Sequence, residues 1–258
     1  MRIITWNVNS VRPRLERLLA LLGRHAPDLL CLQETKVTDE AFPRDAIEAQ
    51  GYHVACHGQK TYNGVALVSR EPPEDVRRGF PADPAADEAR VISATLDGLR
   101  VVNAYVVNGQ ALGSAKYALK LRWLDALAAW IAGAHLPSTP LLVLGDFNIA
   151  PDDRDVHDPE LWRNRLLVSD AERERLRRLL GWGLTDLLRQ LTDEPSFTWW
   201  DYRFGAFHRR LGLRLDLALG TTPVAARLRA VTVDRDERKK TTGPGTPSDH
   251  APVIVDLE

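Results

Sequence analysis

Short apolar runs separated by turn residues set the pattern of the chain. They predict strands over Arg2–Trp6, Leu29–Gln33, His53–His57, Val65–Ser69, Val91–Leu96, Arg100–Val107, Leu141–Gly145, Phe197–Trp200, Leu213–Leu219, Leu228–Val233 and Pro252–Leu257. Between some of them the period lengthens to that of a helix. Val11, Leu15, Leu18, Leu19 and Leu22 make one apolar stripe, with Ser10 as its expected N-cap and Pro27 as its stop. Tyr117, Leu121, Leu124, Ala128 and Ile131 make a second stripe, and a charged helix is predicted over Asp170–Leu180. "FPADPAADE" reads as a surface loop. Strands and helices without strict alternation predict two packed mixed sheets with helices on their outer faces.

Polar residues interrupt this pattern at four strand boundaries. "RIITWNVN" ends a strand with Asn7, and Asn9 follows. "DLLCLQETK" ends one with Glu34. "LLVLGDFN" ends one with Asp146 and Asn148, which strand alternation puts on one side. "PSDHAPVIVDL" sets Asp249 and His250 ahead of the last strand. Each has a plain alternative: Gly-Asp is a common turn, Glu after an apolar run a solvated loop residue, Ser-Asp-His a cap or turn. Four together are harder to dismiss. If they meet, the last strand must run antiparallel to the others. "LRLDLALG" adds a mid-strand carboxylate, Asp216, which is costly to bury unless paired. His250 is its expected partner, and a surface ion pair with Arg214 or another arginine is the alternative.

Composition narrows the classes. With 258 residues, 44 % hydrophobic and 27 % charged, the chain reads as globular, with length enough for a large core. A net charge of -1 gives no global attraction to a polyanion, so nucleic acid would need a local basic face or a bound metal. The two cysteines, Cys31 and Cys56, read as reduced core thiols. The N-terminus reads as a strand rather than a signal peptide, and no apolar run approaches the roughly 18 residues of a membrane span. A cytoplasmic chain that meets no membrane is expected. Carboxylates, carboxamides and a histidine suit Mg²⁺ or Mn²⁺ better than structural zinc. That inventory suits metal-assisted hydrolysis of a phosphate ester.

Together, "TWNVN", "LQETK", "GDFNIAP", "GLRLDLAL" and "SDHAPV" resemble the exonuclease III family of AP endonucleases, within the endonuclease/exonuclease/phosphatase superfamily. "GYHVACHGQKTYNGVALVSRE", "VRRGFP", "ARVISA", "KYALKLRW" and "FTWWDYR" extend the similarity in order along nearly the whole chain. The resemblance implies an α/β four-layer sandwich, two mixed β-sheets packed face to face and flanked by α-helices, as one catalytic domain over 1–258. It implies Mg²⁺-dependent cleavage of DNA 5′ to abasic sites, often with 3′→5′ exonuclease and 3′-end-cleaning activity. By motif position, Glu34 would be the main metal ligand, supported by Asn7, with Asp249 serving the metal region. Asp146 would activate or position the attacking water and Asn148 orient it. His250, held by Asp216, would contact the scissile phosphate, and Tyr105 would lie near the phosphate or leaving oxygen. The partner implied is double-stranded DNA with abasic or 3′-blocked sites, bound by a monomer associated with the nucleoid.

Arg90, Lys116, Lys120 and Arg122 are candidate phosphate contacts, as are Arg203, Arg209, Arg210 and Arg214 among the aromatics of "YRFGAFHRRLGLR"; solvated faces are the alternative. Trp199, Leu213 and Leu215 match positions lining the family's pocket for an extruded, base-free sugar, although alternation would equally bury the two leucines. Two departures concern loops. Val107 stands where the family usually has proline, and "RKKTTGPGTPSDH" is longer and richer in Gly and Pro, which suggests a mobile DNA-contacting loop. The alternatives are a superfamily phosphatase or RNA exonuclease with another phosphoester substrate, and a binding module that has lost catalysis.

Overall fold

The computed structural model describes residues 1–258. Its strands are β1 (Arg2–Asn7), β2 (Leu29–Gln33), β3 (His53–His57), β4 (Val65–Ser69), β5 (Glu74–Arg78), β6 (Val91–Leu96), β7 (Leu99–Tyr105), β8 (Leu141–Asp146), β9 (Leu184–Asp186), β10 (Asp216–Thr221), β11 (Leu228–Val233) and β12 (Val253–Leu257). They form two six-stranded sheets, ordered β11-β12-β1-β2-β4-β3 and β5-β6-β7-β8-β10-β9. Both are mixed, with β1 parallel to β2 and β7 parallel to β8.

Alternation along the strands builds the layers. On β1, Ile3 points into the space between the sheets, with Leu29, Cys31, Val101, Leu142 and Leu144. Ile4 and Trp6 point outward under α1 (Leu15–His25), with Leu18, Leu21 and Leu22. α2 (Arg44–Glu48) adds Ile47 to the same layer. On the second sheet, Val102, Leu141, Val143, Leu217 and Leu219 face outward against α3 (Ala115–Ala134) and α5 (Asp170–Gly183). Short helices α4 (Pro159–Trp162), α6 (Leu187–Leu191) and α7 (Thr222–Ala225) fill the connections. Burial of these aliphatic faces supplies the main driving force for the four-layer stack. No helix is long and apolar enough to cross a membrane.

Several expectations need correction. Ser10 does not cap α1. It lies at φ 85°, a 3₁₀ turn over Arg12–Arg14 intervenes, and α1 starts without a side-chain cap. Pro27 follows the helix end as expected, after Ala26 in the left-handed region. Phe197–Trp200 is not a strand; Trp199 makes only isolated bridges, to Leu213 and His250. Strand β10 begins at Asp216, so that carboxylate stands at a strand start rather than mid-strand. Strands β5 and β9 lack an apolar signature or length: "EDVRR" is wholly exposed, an edge strand rich in charge, as soluble edges tend to be.

Each altered loop is anchored at one point. Val106 and Val107 are fully buried in the outer core of the second sheet, so burial anchors the segment where proline would have stiffened it. The buried guanidinium of Arg17 donates to Gly243 O at 2.9 Å, holding the 239–247 loop against α1.

Candidate active site

The four polar strand boundaries meet at one edge of the sandwich. β12 runs antiparallel to β1, and β10 antiparallel to β8. The starts of β10 and β12 therefore lie beside the ends of β1, β2, β7 and β8. Tyr105, Asp146 and Asp216 stand in register across three adjacent strands.

Hydrogen bonds join the residues into one chain. The Asn7 amide uses both N–H groups, donating to Glu34 Oε1 at 3.0 Å and Asp146 Oδ2 at 2.9 Å. Its oxygen accepts from the Asn9 backbone at 2.9 Å and keeps a second lone pair, so Asn7 positions both carboxylates. Asn148 Nδ2 donates to Asp146 Oδ2 at 3.2 Å. Asn148 meets Asp146 through a tight turn, not through continued strand alternation: its φ is 51° and its backbone N–H donates to Asp146 Oδ1 at 2.9 Å. The turn reading of "GDFN" is thus correct, and the turn itself brings the Asn148 amide onto Asp146. His250 Nδ1 lies 2.8 Å from Asp216 Oδ2, and its Nε2 lies 3.8 Å from Asp146 Oδ2.

Electrostatics follow from burial and crowding. Burial pushes the Asp146 carboxyl up to about 7, with Asp216 and Glu34 adding repulsion against the opposing pull of His250. Burial pulls His250 down, but Asp216 and Asp146 outweigh it and raise the imidazole to about 10, keeping it cationic. Burial also opposes ionisation of Glu34; Lys36, Asn7 and Tyr105 overcome it and hold the carboxyl below its ordinary value. The Tyr105 phenol is driven well up by burial, then by the nearby Glu34 and Asp146 charges.

Asp249 lies farther out, accepting from Asn9 Nδ2 at 2.9 Å and Trp199 Nε1 at 3.1 Å. Lys36, part of the "LQETK" motif but given no role by sequence reasoning, places its ammonium 2.8 Å from Glu34 Oε2 and 2.5 Å from Asn9 Oδ1. A cation thus already sits among these oxygens. The donor set fits a hard divalent ion: carboxylates without thiols, more acidic groups than cations, and a buried Asp216 Oδ1 with no partner. Asp146, Asp216 and His250 alone could also gather round an ion. A cationic imidazole is a poor ligand, however, which favours the Glu34 side.

The basic candidates separate. Lys120 is fully buried against Glu172, so it is not a free phosphate contact. Arg214 is likewise interior, clamped between Asp155 and Asp186, which also removes the expected alternative pairing with Asp216. Arg90 is buried, stacked 4.9 Å over the Tyr105 ring and paired with Glu88, which also meets Lys116. Arg122, Arg203, Arg209 and Arg210 remain toward the surface. Leu213 and Leu215 are core, packed with Ala150, Val156, Leu167 and Val168, and Trp199 leans on that cluster half-buried. Beneath the site Gln33, Thr5 and Asn103 form a buried polar layer between the sheets, through bonds of 2.9 and 2.7 Å from Gln33 Nε2. Sequence reasoning missed it, although "LLCLQ" and "VVNAY" each break an apolar run with an amide.

Comparison with known proteins agrees with this geometry. Residues 4–250 match the Endonuclease/Exonuclease/phosphatase family. The chain is 37% identical to Exodeoxyribonuclease III of Haemophilus influenzae over 271 residues, covering 100% of both chains. It superposes with a TM-score of 0.95 on the 3′ phosphatase NExo from Neisseria, solved with a product DNA hairpin, at 45% identity over 100% of this chain and 99% of that one. An AP endonuclease from Archaeoglobus fulgidus gives the same TM-score at 38% identity and the same coverage. The chain belongs to the endonuclease/exonuclease/phosphatase family, among relatives of the exonuclease III and AP endonuclease kind.

Proposed function

We propose that this chain is a DNA-repair phosphodiesterase, a single catalytic unit over 1–258. It hydrolyses the backbone 5′ to abasic sites and clears nucleotides or blocking groups from 3′ ends. The observation that carries the reading is the bonded chain Glu34–Asn7–Asp146 beside His250–Asp216, assembled from both sheets at one edge. The exonuclease III and AP endonuclease relatives support DNA as the substrate; on this reading the enzyme acts as a monomer in the cytoplasm, associated with the nucleoid through DNA.

Glu34, with Asp249 beyond it, would hold Mg²⁺ or Mn²⁺, which when bound supplies Lewis-acid stabilisation of a phosphoryl oxygen. The cationic His250, kept charged by Asp216, offers Nε2–H to another phosphoryl oxygen. Asp146 takes a proton from the attacking water, and its raised affinity for protons suits that role near neutral pH. Asn148 spends its amide N–H groups on Val106 O and Asp146 Oδ2, and orients the water through the remaining lone pair of Oδ1. Tyr105, kept neutral, donates its O–H toward the phosphate or the leaving oxygen. Lys116, Arg122 and the exposed arginines of the 203–210 loop hold the duplex backbone, and Trp199 borders the pocket for the base-free sugar.

A second reading keeps the chemistry and moves it to 3′ ends alone. The higher identity to a 3′ phosphatase, 45% against 38% for the AP endonuclease, favours it. End-labelled abasic, nicked and 3′-phosphate duplexes, incubated with and without Mg²⁺, separate the two. Cleavage of the abasic strand, abolished by EDTA and by Asp146→Asn, is the expected result. Release of 3′-phosphate with an intact abasic strand selects the second reading, and inertness toward all three substrates refutes both.

A further inference from the structure

Lys120 and Glu172 form an ion pair in which neither side chain reaches solvent. Such a pair is a weak source of stability, because stripping water from two ions offsets much of their attraction. Its bonds show what it holds. The Lys120 ammonium donates to the Glu172 carboxylate, to Asn148 O at 2.7 Å and to Asn108 O at 3.2 Å. Those two carbonyls belong to the turns that leave β8 and β7, side by side. Asn108 Nδ2 in turn donates to Asn148 Oδ1 at 2.9 Å, and Asn148 Nδ2 reaches Asp146 Oδ2.

Glu172 is anchored independently. It accepts from Leu167 N at 3.2 Å, Ser169 N at 3.0 Å and Ser169 Oγ at 2.6 Å. Leu167 O accepts from Ala150 N at 2.8 Å, closing the circuit two residues beyond Asn148. A continuous run of bonds thus links the start of α5 to the Asp146 carboxylate. Asn148 sits in the left-handed region at φ 51°, a conformation that persists when its surroundings over-determine it.

We propose that the Lys120–Glu172 pair is a positioning device. It pins the Asn108 and Asn148 turns so that the Asn148 amide holds Asp146 in its reacting orientation, and it does so without touching the substrate. The catalytic consequence rests on the hydrolytic reading of Asp146; the pinning does not.

The double variant Lys120→Met/Glu172→Gln removes both charges and leaves no unpaired ion buried. Amide hydrogen exchange at Asn148 should quicken by about tenfold or more as the turn loosens. Single-turnover cleavage of abasic duplex should fall by roughly ten- to a hundredfold, the scale of a small misplacement of a reacting group. Affinity for the same duplex in EDTA, and its salt dependence, should stay native. A lost phosphate contact would instead lower the salt slope by about 1, and that result would make Lys120 a DNA ligand and overturn the proposal. Native exchange at Asn148 in the folded variant would also overturn it, as would a native cleavage rate. If the parent cleaves no DNA, the hydrolytic reading fails, and exchange at Asn148 still decides the pinning. Should the double variant not fold, Lys120→Gln/Glu172→Gln, which likewise leaves no unpaired ion buried, gives the same exchange readout, with quickening expected and native exchange refuting.

Discussion

At the scale of single residues, charge decides the roles. His250 would lose its proton on burial alone, but the carboxylates of Asp216 and Asp146 hold it. Asp216→Asn keeps the shape and removes one of those charges. His250 should then deprotonate at a lower pH, so the alkaline limb of the cleavage profile moves down and the rate at neutral pH drops. An NMR titration of the imidazole together with the pH–rate profile checks this; an unmoved alkaline limb would separate Asp216 from the imidazolium. Gly145 illustrates a steric requirement. It lies at φ 137°, and a Cβ there would stand 2.0 Å from Ala104 O on the paired strand. Gly145→Ala should cost about 3 kcal/mol or more, read as a lowered urea midpoint, because strand β7 must move for the methyl to fit.

At the scale of elements, caps and turns aim the chemistry. Ser114 accepts Tyr117 N–H at 3.0 Å at the start of α3 and donates to Gly109 O at 2.8 Å, tying the helix to the loop beyond Tyr105. Ser114→Ala should destabilise by about 1 kcal/mol, measured by urea unfolding, and Ser114→Asp should recover part of it by restoring the acceptor. The capping box of Ser169 and Glu172 does the same for α5. Left-handed residues gather where strands end at the site: Asn9 at 44°, Glu34 at 52° and Asn148 at 51°. Turning the chain at once after the strand presents each side chain at the edge, on rigid support.

At the scale of the whole molecule, pH and metal are linked through the crowded carboxylates. The folded-state value of Asp146, about 7, lies above its ordinary 3.8, so between those limits the folded chain keeps a proton that the unfolded chain has lost. Stability without metal should therefore fall as pH rises through that window. His250 acts in the same sense: its contribution is complete below 6.5 and is lost as pH climbs through about 10. A divalent cation relieves the repulsion among ionised carboxylates, so Mg²⁺ should raise the melting temperature more at about pH 8 than at about pH 6. Thermal melts across that range with EDTA or Mg²⁺ check the sign. An equal shift at both values would place the ion away from Asp146.

Local pattern determined most of the elements by itself. The apolar runs of β1, β2, β4, β6 and β8 and the helices α1, α3 and α5 are written in consecutive residues, because a strand buried on both faces reads as a short apolar run and a helix as a spacing near 3.6. The face α3 buries differs from its predicted stripe, with Lys120, Trp123 and Leu127 inside in place of Tyr117, Leu121 and Ala128. The polar strand boundaries at Asn7, Glu34, Asp146 and His250 were visible as breaks in those runs. Tertiary structure alone decided which side chains meet. Strand order and direction brought His250 to Asp216 and Asn7 to both Glu34 and Asp146, contacts spanning 34, 27 and 139 positions of sequence. It also sent Lys120 and Arg214, which read as surface charges, into the interior to meet Glu172, Asp155 and Asp186. A charge in a sequence carries no mark of its partner. Whether it faces water or another ion depends on what the fold packs against it, since a buried charge is tolerated only with an opposite one supplied from elsewhere in the chain.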